Sequence, residues 1–207
     1  MRRLIYVELE PNEVQMEMLN GYARYFDSKK KGYTEGNGLE HSEEAGIKLA
    51  VNGAIAEWAV AKVLNLMPNF NIGNLDKLDV GETIEVKSIF YSHHKLIIRP
   101  KEEKKINDPF VLVHFPHTIH PDRPPTKNLE CILLGWCWGR EGIKNEYWYD
   151  PKGNRAAWFV PKRILHHDWE VLQEYCITKS RSLLQDYLRD SSDHISEDTM
   201  AEFAFDW

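Results

Sequence analysis

The sequence predicts an α/β domain, α+β in its chain order, in which a mixed central β-sheet is flanked by helices. Two long helical patterns occupy the first third of the chain, and short β-type runs broken by turns follow them. A final amphipathic helical pattern comes after the last of these runs. This order is typical of a sheet covered by helices, and 207 residues are enough to bury one core.

The first helix is predicted from Pro11 to about Lys31, with proline at its start and Gly32 after its end. The second is predicted from about Ser42 to Leu66. We expect one domain over residues 1–189 and an acidic tail over 190–207. Within the domain we expect N-terminal helices in 11–66, a sheet core in 70–161 and a C-terminal helix over 169–188.

The predicted strands share β-branched or aromatic residues bounded by turn residues. They cover residues 4–8, 70–72, 83–90, 95–99, 110–115, 131–138 and an edge strand at 158–161. The strands 83–90 and 95–99 are expected to form a hairpin. Its turn carries His93-His94, which is either a polar turn or a phosphate contact.

The net charge of −6 is concentrated in the tail, where residues 190–207 hold six acids and no Lys or Arg. The other 26 acids equal the 26 basic residues of the chain, so the body is neutral and can still bind a polyanion. We expect the tail either to be disordered, or to dock on a partner protein, or to cover a basic cleft in its own or a neighbouring subunit of a homo-oligomer. No membrane segment or signal peptide is predicted, and we expect a cytoplasmic protein.

The candidate site lies between Gly53 and Lys87, where Glu57 falls on a helix, Asp79 follows, and Glu85-Val86-Lys87 lies on a strand. Alternate side chains of a strand face opposite sides. Glu85 and Lys87 should therefore share one side, and we expect Ile84, Val86 and Ile89 to pack on the other. Charged groups on an otherwise apolar strand destabilise the fold unless they are paired, so their presence indicates an ion pair or a functional role.

These residue types suit metal-dependent phosphodiester hydrolysis. Asp79 and Glu85 offer hard oxygen ligands for Mg²⁺ (or Mn²⁺), with the Val86 carbonyl as a third. Lys87 would orient the attacking water and stabilise charge growing on phosphorus, while Glu57 completes the metal shell or holds a second ion. Asp76 is near enough in sequence to replace Asp79.

With Glu57, Asp79 and Glu85-Val86-Lys87, the chain resembles the PD-(D/E)XK nuclease superfamily, and more loosely its small phage or prophage members. Leu78 stands where the motif often has proline. The resemblance implies a restriction-endonuclease-like core, a four-stranded mixed sheet flanked by helices with the acids at one end. It also implies a Mg²⁺-dependent nuclease whose substrate is nucleic acid, with DNA favoured.

Two basic segments could hold a nucleic-acid backbone without reading its sequence. They comprise Lys29, Lys30, Lys31, Arg99, Lys101, Lys104 and Lys105. The run from Arg99 to Lys105 also fits a solvated loop. The tryptophans 136, 138, 148 and 158 could stack on bases, but their apolar neighbours favour core packing.

Two plainer interpretations remain open. Glu85 and Lys87 could form a cross-strand salt bridge on an exposed strand. The domain could instead have a nuclease fold without catalysis and act as a DNA- or protein-binding module. The three cysteines, Cys131, Cys137 and Cys176, are expected to be buried thiols.

Overall fold

The computed structural model describes residues 4–32, 42–68, 78–117, 119–120, 123, 125–150, 153 and 156–192, and only the backbone over 187–192. The chain divides into two compact units, Met1–Trp169 and Glu170–Trp207. All the candidate site residues belong to the first unit. The expected strand 70–72, Asp76 and the acidic tail beyond residue 192 lie outside the described residues.

The chain is mixed α/β, as predicted. Its helices are α1 (Pro11–Lys30), α2 (Glu43–Leu64), α3 (Gly139–Gly142) and α4 (Trp169–Ser192). Its strands are β1 (Ile5–Leu9), β2 (Glu85–Ile89), β3 (Leu96–Ile98), β4 (Pro109–His114), β5 (Leu129–Trp138), β6 (Trp148–Tyr149) and β7 (Ala157–Val160). Short 3₁₀ helices cover Pro100–Lys105, Asn145–Tyr147 and Lys162–Ile164.

The helices α1 and α2 lie antiparallel and in close contact. Glu13 near the start of α1 pairs with Lys62 near the end of α2, whereas Lys29 near the end of α1 pairs with Glu43. A Cβ at Gly21 would lie 2.5 Å from the Cα of Val51, so only glycine permits this approach. The contact brings the polar side chains of α1 against those of α2.

The main sheet has four strands in the order β1-β5-β4-β2 and is mixed, because β2 and β4 run parallel while the other pairs are antiparallel. A parallel pair needs a crossover connection. Residues 90–108 provide it, and they contain β3 and the 3₁₀ helix Pro100–Lys105. That 3₁₀ helix therefore belongs to the return path from β2 to β4.

The predicted hairpin after β2 is wrong. Strand β3 pairs with β7 in a second, three-stranded sheet of order β3-β7-β6. The expected edge strand at 158–161 is the central strand of this sheet. Both errors have the same physical cause. The pairing of strands depends on which side chains become buried together across the whole domain, and local turn residues do not indicate this.

A hydrophobic cluster contains buried residues from both sheets. Ile89, Phe110 and Leu112 come from the first sheet, and Ile98 and Val160 from the second. Ile89 shares its face of β2 with Glu85 and Lys87, because the register from Glu85 to Ile89 is regular. The expectation that Ile89 packs on the opposite side is therefore wrong.

Two smaller expectations have clear outcomes. All three cysteines are buried thiols outside any disulfide, as predicted, and burial raises the pKa of Cys131 and of Cys137 to about 12. Within the described part of the chain, every helix is too short or too polar to cross a lipid bilayer.

Candidate functional site

A tight turn before β2 sets the position of Asp79. Gly81 and Glu82 both adopt left-handed backbone conformations, with φ of 57° and 55°. This pair is typical of the type I′ turn that joins two antiparallel strands. The Asp79 N–H donates to the Ile84 carbonyl at 2.8 Å, and the Ile84 N–H donates to the Val80 carbonyl at 3.1 Å. The turn that Gly81 was expected to permit is thus present.

The turn places the Asp79 carboxylate beside β2. The backbone N–H of Val86 donates to Asp79 Oδ2 at 2.7 Å. A short bond from a backbone donor of a strand holds the carboxylate in one orientation. Asp79 is thereby fixed next to Glu85-Val86-Lys87, as the sequence predicts.

Glu85 and Lys87 belong to a chain of alternating charges. Lys87 Nζ lies 2.6 Å from Glu85 Oε1 and 2.6 Å from Glu102 Oε1. Lys105 Nζ lies 2.5 Å from the other oxygen of Glu85, Oε2. We call these four residues (Lys105, Glu85, Lys87 and Glu102) the ion-pair chain. Both of its carboxylates are buried, so the strand is not exposed as the salt-bridge interpretation required.

Glu57 lies on α2 and is reached by a residue of α1. Arg24 donates from one guanidinium nitrogen to Glu57 Oε1 at 2.6 Å. The second carboxylate oxygen of Glu57 is buried and has no hydrogen-bond partner among the described residues. The same holds for Glu17 Oε1 and for both polar side-chain atoms of Asn52. This part of the site is therefore incompletely satisfied.

The pKa values show that the acids act on one another. Burial raises the pKa of Glu57 to about 7, and the negative charges of Glu17 and Glu85 add to this against the opposing effect of Arg24. The pKa of Asp79 is raised well above its usual value by burial, then by the charges of Glu57 and Glu85. We call Glu17, Glu57 and Asp79 the acidic cluster.

The ion-pair chain behaves in the opposite way. Burial alone would raise the pKa of Glu85, but the adjacent charges of Lys87 and Lys105 outweigh it and lower that pKa. Burial would likewise lower the pKa of Lys87, yet Glu85, Glu102 and Asp79 raise it. Glu85 is thus held ionised by two cations, whereas the pKa values of the acidic cluster are raised, so that its carboxyl groups hold their protons more tightly.

The structure brings Glu57, Asp79, Glu85 and Lys87 into one electrostatic neighbourhood. In the described part of the chain, however, no three His, Cys, Asp or Glu side chains are arranged so that they could hold a metal ion. The physical reason at Glu85 is that its two oxygens face ammonium groups. Asp79 Oδ2 likewise faces a backbone N–H.

The expected nucleic-acid contacts differ in exposure. Lys29 and Lys31 are exposed and form surface ion pairs, with Glu43 at 2.6 Å and with Asp27 at 2.8 Å. Lys30, Lys101 and Lys104 are exposed, Arg99 is half-buried, and Lys105 is buried in the ion-pair chain. The run from Arg99 to Lys105 is a 3₁₀ helix with two buried charged residues, so the solvated-loop interpretation is wrong.

Four residues near the site were missed from the sequence: Glu17, Arg24, Asn52 and Glu102. Lys105 was predicted as a nucleic-acid contact and not as a partner of Glu85. Glu17 and Arg24 are seven positions apart, which places them on one face of α1 and could have indicated a shared role. Glu102 and Lys105 gave no such signal, because their partners on β2 are reached only through the crossover between the sheets.

Comparison of the chain with protein-family models, with curated proteins and with solved structures finds no match.

Proposed function

We propose that this protein is a metal-dependent nuclease, which uses Mg²⁺ (or Mn²⁺) to hydrolyse phosphodiester bonds, with DNA as the favoured substrate. A restriction-endonuclease-like core and membership of the PD-(D/E)XK superfamily are part of the same proposal. Its centre is formed by Asp79, Glu85 and Lys87, with Glu57 beside them.

The observation that carries the proposal is the acidic cluster, three neighbouring carboxyl groups with raised pKa values, of which Glu17 and Glu57 are buried. Of its three carboxylates, Glu57 alone has an ion pair among the described residues, with Arg24. Burying an ionised carboxylate without compensation is costly. A divalent cation with oxygen ligands would offset this charge, and Mg²⁺ prefers such ligands.

The residues would divide the work as follows. Asp79, held by the Val86 N–H, and Glu57, with its unpartnered Oε2, supply carboxylate oxygens on one side. Glu85 and the Val86 carbonyl would supply the other ligands. A bound ion there would polarise the scissile phosphate and lower the pKa of a water molecule. Hydrolysis would add the water oxygen to phosphorus and break one P–O ester bond, with one proton passing from the water to solvent and one from solvent to the departing oxygen.

Lys87 is a cationic residue in contact with a proposed ligand, Glu85. Its raised pKa keeps the ammonium charged at neutral pH, so it can orient the water and stabilise charge on the phosphate oxygens. Glu102, which lies on the crossover between β2 and β4, accepts a hydrogen bond from Lys87 and so fixes the position of the ammonium group. Lys105 neutralises Glu85 and would have to give up its contact with Oε2 for that oxygen to become a ligand.

A second candidate function is a nuclease-fold module that binds DNA or a protein and does no chemistry. The observation that favours it is the occupation of both Glu85 oxygens by ammonium groups, which suits a purely structural ion-pair chain. The two candidates differ in what a change at Glu85 does. Catalysis requires this carboxylate, whereas binding does not.

The test is incubation of the protein with linear, circular and single-stranded DNA and with RNA, in Mg²⁺ or in EDTA. We expect cleavage that requires the divalent ion and is lost in Glu85→Ala and in Lys87→Ala, each checked for folding by circular dichroism. Glu103→Gln, an exposed acid of the same 3₁₀ helix as Glu102, is the control and should cleave normally. Cleavage that survives both alanine substitutions would refute the proposal, and metal-independent binding without cleavage would support the second candidate.

A further inference from the structure

An open groove lies on the second sheet. None of the acids of the candidate site is among the residues that line it. Its volume is about 640 Å³. The lining combines aromatic side chains from the segment 147–149 and from β7 with basic ones from 93–95 and from residue 163. Every lining residue belongs to the unit Met1–Trp169. Neither the predicted site nor the proposed catalysis uses this groove.

Aromatic residues of the neighbouring strands β6 and β7 line the groove. Consecutive residues of a strand face opposite sides, so the register places Tyr149 and Phe159 on one face of the sheet and Trp148 with Trp158 on the other. Ile97, the cross-strand partner of Phe159, also lines the groove, which therefore lies on the Tyr149 face. Tyr149 is 59% exposed and rests on Phe159 at 5.8 Å between ring centroids. Trp148 is 43% exposed, so the core packing expected for it is wrong, and it contacts Trp158 at 4.8 Å.

Basic side chains contribute to the same lining. Lys95 and Arg163 are joined there by His93 and His94, and Glu146 is the one acid among the groove residues in the described part of the chain. Lys95 and Arg163 are both exposed and would attract an anion to the groove.

We propose that this groove binds single-stranded nucleic acid, with bases stacked on Tyr149 and Phe159 and phosphates held by Lys95 and Arg163. The inference goes beyond the proposed hydrolysis and does not require it. Aromatic platforms lined by cations are the usual means of binding unpaired strands, because every base has a face that can stack. In a duplex those faces are covered by neighbouring bases, so a duplex would gain only the phosphate contacts.

The groove is connected to the candidate site by a short piece of chain. Ile97 lines the groove, and Glu102, five residues later, contacts Lys87. Five residues span at most about 18 Å, so the two sites lie close enough for one flexible strand to reach both. A strand held in the groove would then continue toward the carboxylates.

The test is fluorescence anisotropy with a labelled oligothymidylate in EDTA, where no metal-dependent cleavage occurs. Wild type should bind it more tightly than a duplex of equal length. Tyr149→Ala and Phe159→Ala should each weaken binding by about 5- to 150-fold, the range for the loss of one stacked base. Tyr6→Ala is the matched control, since Tyr6 is 63% exposed on β1 and lies outside the groove.

A second measurement avoids the risk that an aromatic substitution disturbs the sheet. Lys95→Gln and Arg163→Gln should each flatten the salt dependence of oligothymidylate binding by about 0.7 in the slope of log K against log salt. Binding that is unchanged in all four groove variants, or weakened equally by Tyr6→Ala, would overturn the inference. Wild type that binds no oligothymidylate would also overturn it and leave the groove to a protein partner.

The outcome is separable from that of the proposed function. Oligothymidylate binding that depends on the groove, in a protein that never cleaves DNA, supports the groove and refutes the nuclease. If wild type cleaves DNA, and the groove variants bind oligothymidylate and cleave DNA as wild type does, the nuclease proposal is supported and the groove proposal is refuted.

Discussion

Lys105 donates to Glu85 across two separate elements: its Nζ lies 2.5 Å from Oε2, although the residues are twenty positions apart. One lies at the end of a 3₁₀ helix and the other at the start of β2. Both residues are buried, and the Lys105 ammonium neutralises the Glu85 carboxylate, whose burial would otherwise destabilise the fold. The crossover between the parallel strands thus contributes directly to the candidate site.

Removing Lys105 should be costly for folding. Lys105→Met leaves Glu85 with one cation instead of two, and breaking a buried pair typically costs about 3–5 kcal/mol. Urea unfolding in EDTA measures the loss. Lys101→Met, an exposed lysine of the same 3₁₀ helix, should change the free energy of unfolding by less than about 0.5 kcal/mol. Equal effects from the two substitutions would show that the Lys105 contact contributes little.

Stability in the absence of metal should fall as the pH rises through neutrality. The pKa of Glu57 is about 7 in the folded protein and 4.5 as its ordinary value, so the folded state holds the proton more tightly. Its contribution is complete below pH 4.5 and is lost as the pH passes 7, about 3 kcal/mol in all. Unfolding by urea at pH 5 and pH 8 should show a smaller difference for Glu57→Gln than for wild type. An identical pH dependence in the two proteins would contradict this assignment.

Asp79→Asn should separate folding from activity. Its raised pKa means that the ionised carboxylate opposes folding, so the amide should leave stability at pH 8 unchanged or increased. A proposed metal ligand would be lost at the same time, and cleavage should fall by about 100-fold or more. Thermal unfolding and a DNA cleavage assay on the same preparation measure both. A destabilised Asp79→Asn protein that still cleaves would contradict both parts.

Two glycine substitutions should have opposite signs. A Cβ at Gly139 would lie 2.5 Å from the Lys105 carbonyl oxygen and 2.8 Å from the Cα of Ile106, so backbone must move. Gly139→Ala should cost about 1–3 kcal/mol and disturb the end of the 3₁₀ helix. Gly53, inside α2, has nothing within 4 Å of the methyl group that alanine would add, and Gly53→Ala should stabilise the protein by about 0.5–1 kcal/mol. Urea unfolding decides both, and a stabilising Gly139→Ala would show that the approach is looser than these distances indicate.

Local patterns account for much of what the sequence predicted correctly. The two long helices follow from apolar spacing and from end signals such as Pro11 and Ser42, whose hydroxyl caps α2. The meeting of Asp79 with Glu85-Val86-Lys87 follows from a turn at Gly81, which a single glycine signals. Both features depend on residues close together in the chain.

The features that were not predicted depend on distant residues. The pairing of β3 with β7 rather than β2, and the burial of Glu102 and Lys105, result from the crossover between β2 and β4. Arg24 meets Glu57 only because Gly21 lets two helices approach. Periodicity identifies the face of an element but not the element it will meet, so these partners could not be read from the sequence.

We propose that the acidic cluster and Glu85 together bind a divalent cation. Calorimetric titration of the metal-free protein with Mn²⁺ measures this binding directly. We expect saturable binding by wild type and by Glu103→Gln at pH 8, where Glu57 is ionised, and weaker binding at pH 6, where Mn²⁺ must displace its proton. Binding should be lost or at least tenfold weaker in Asp79→Asn and in Glu85→Gln. Absence of Mn²⁺ binding by wild type, or equal affinity in all four proteins, would contradict the claim.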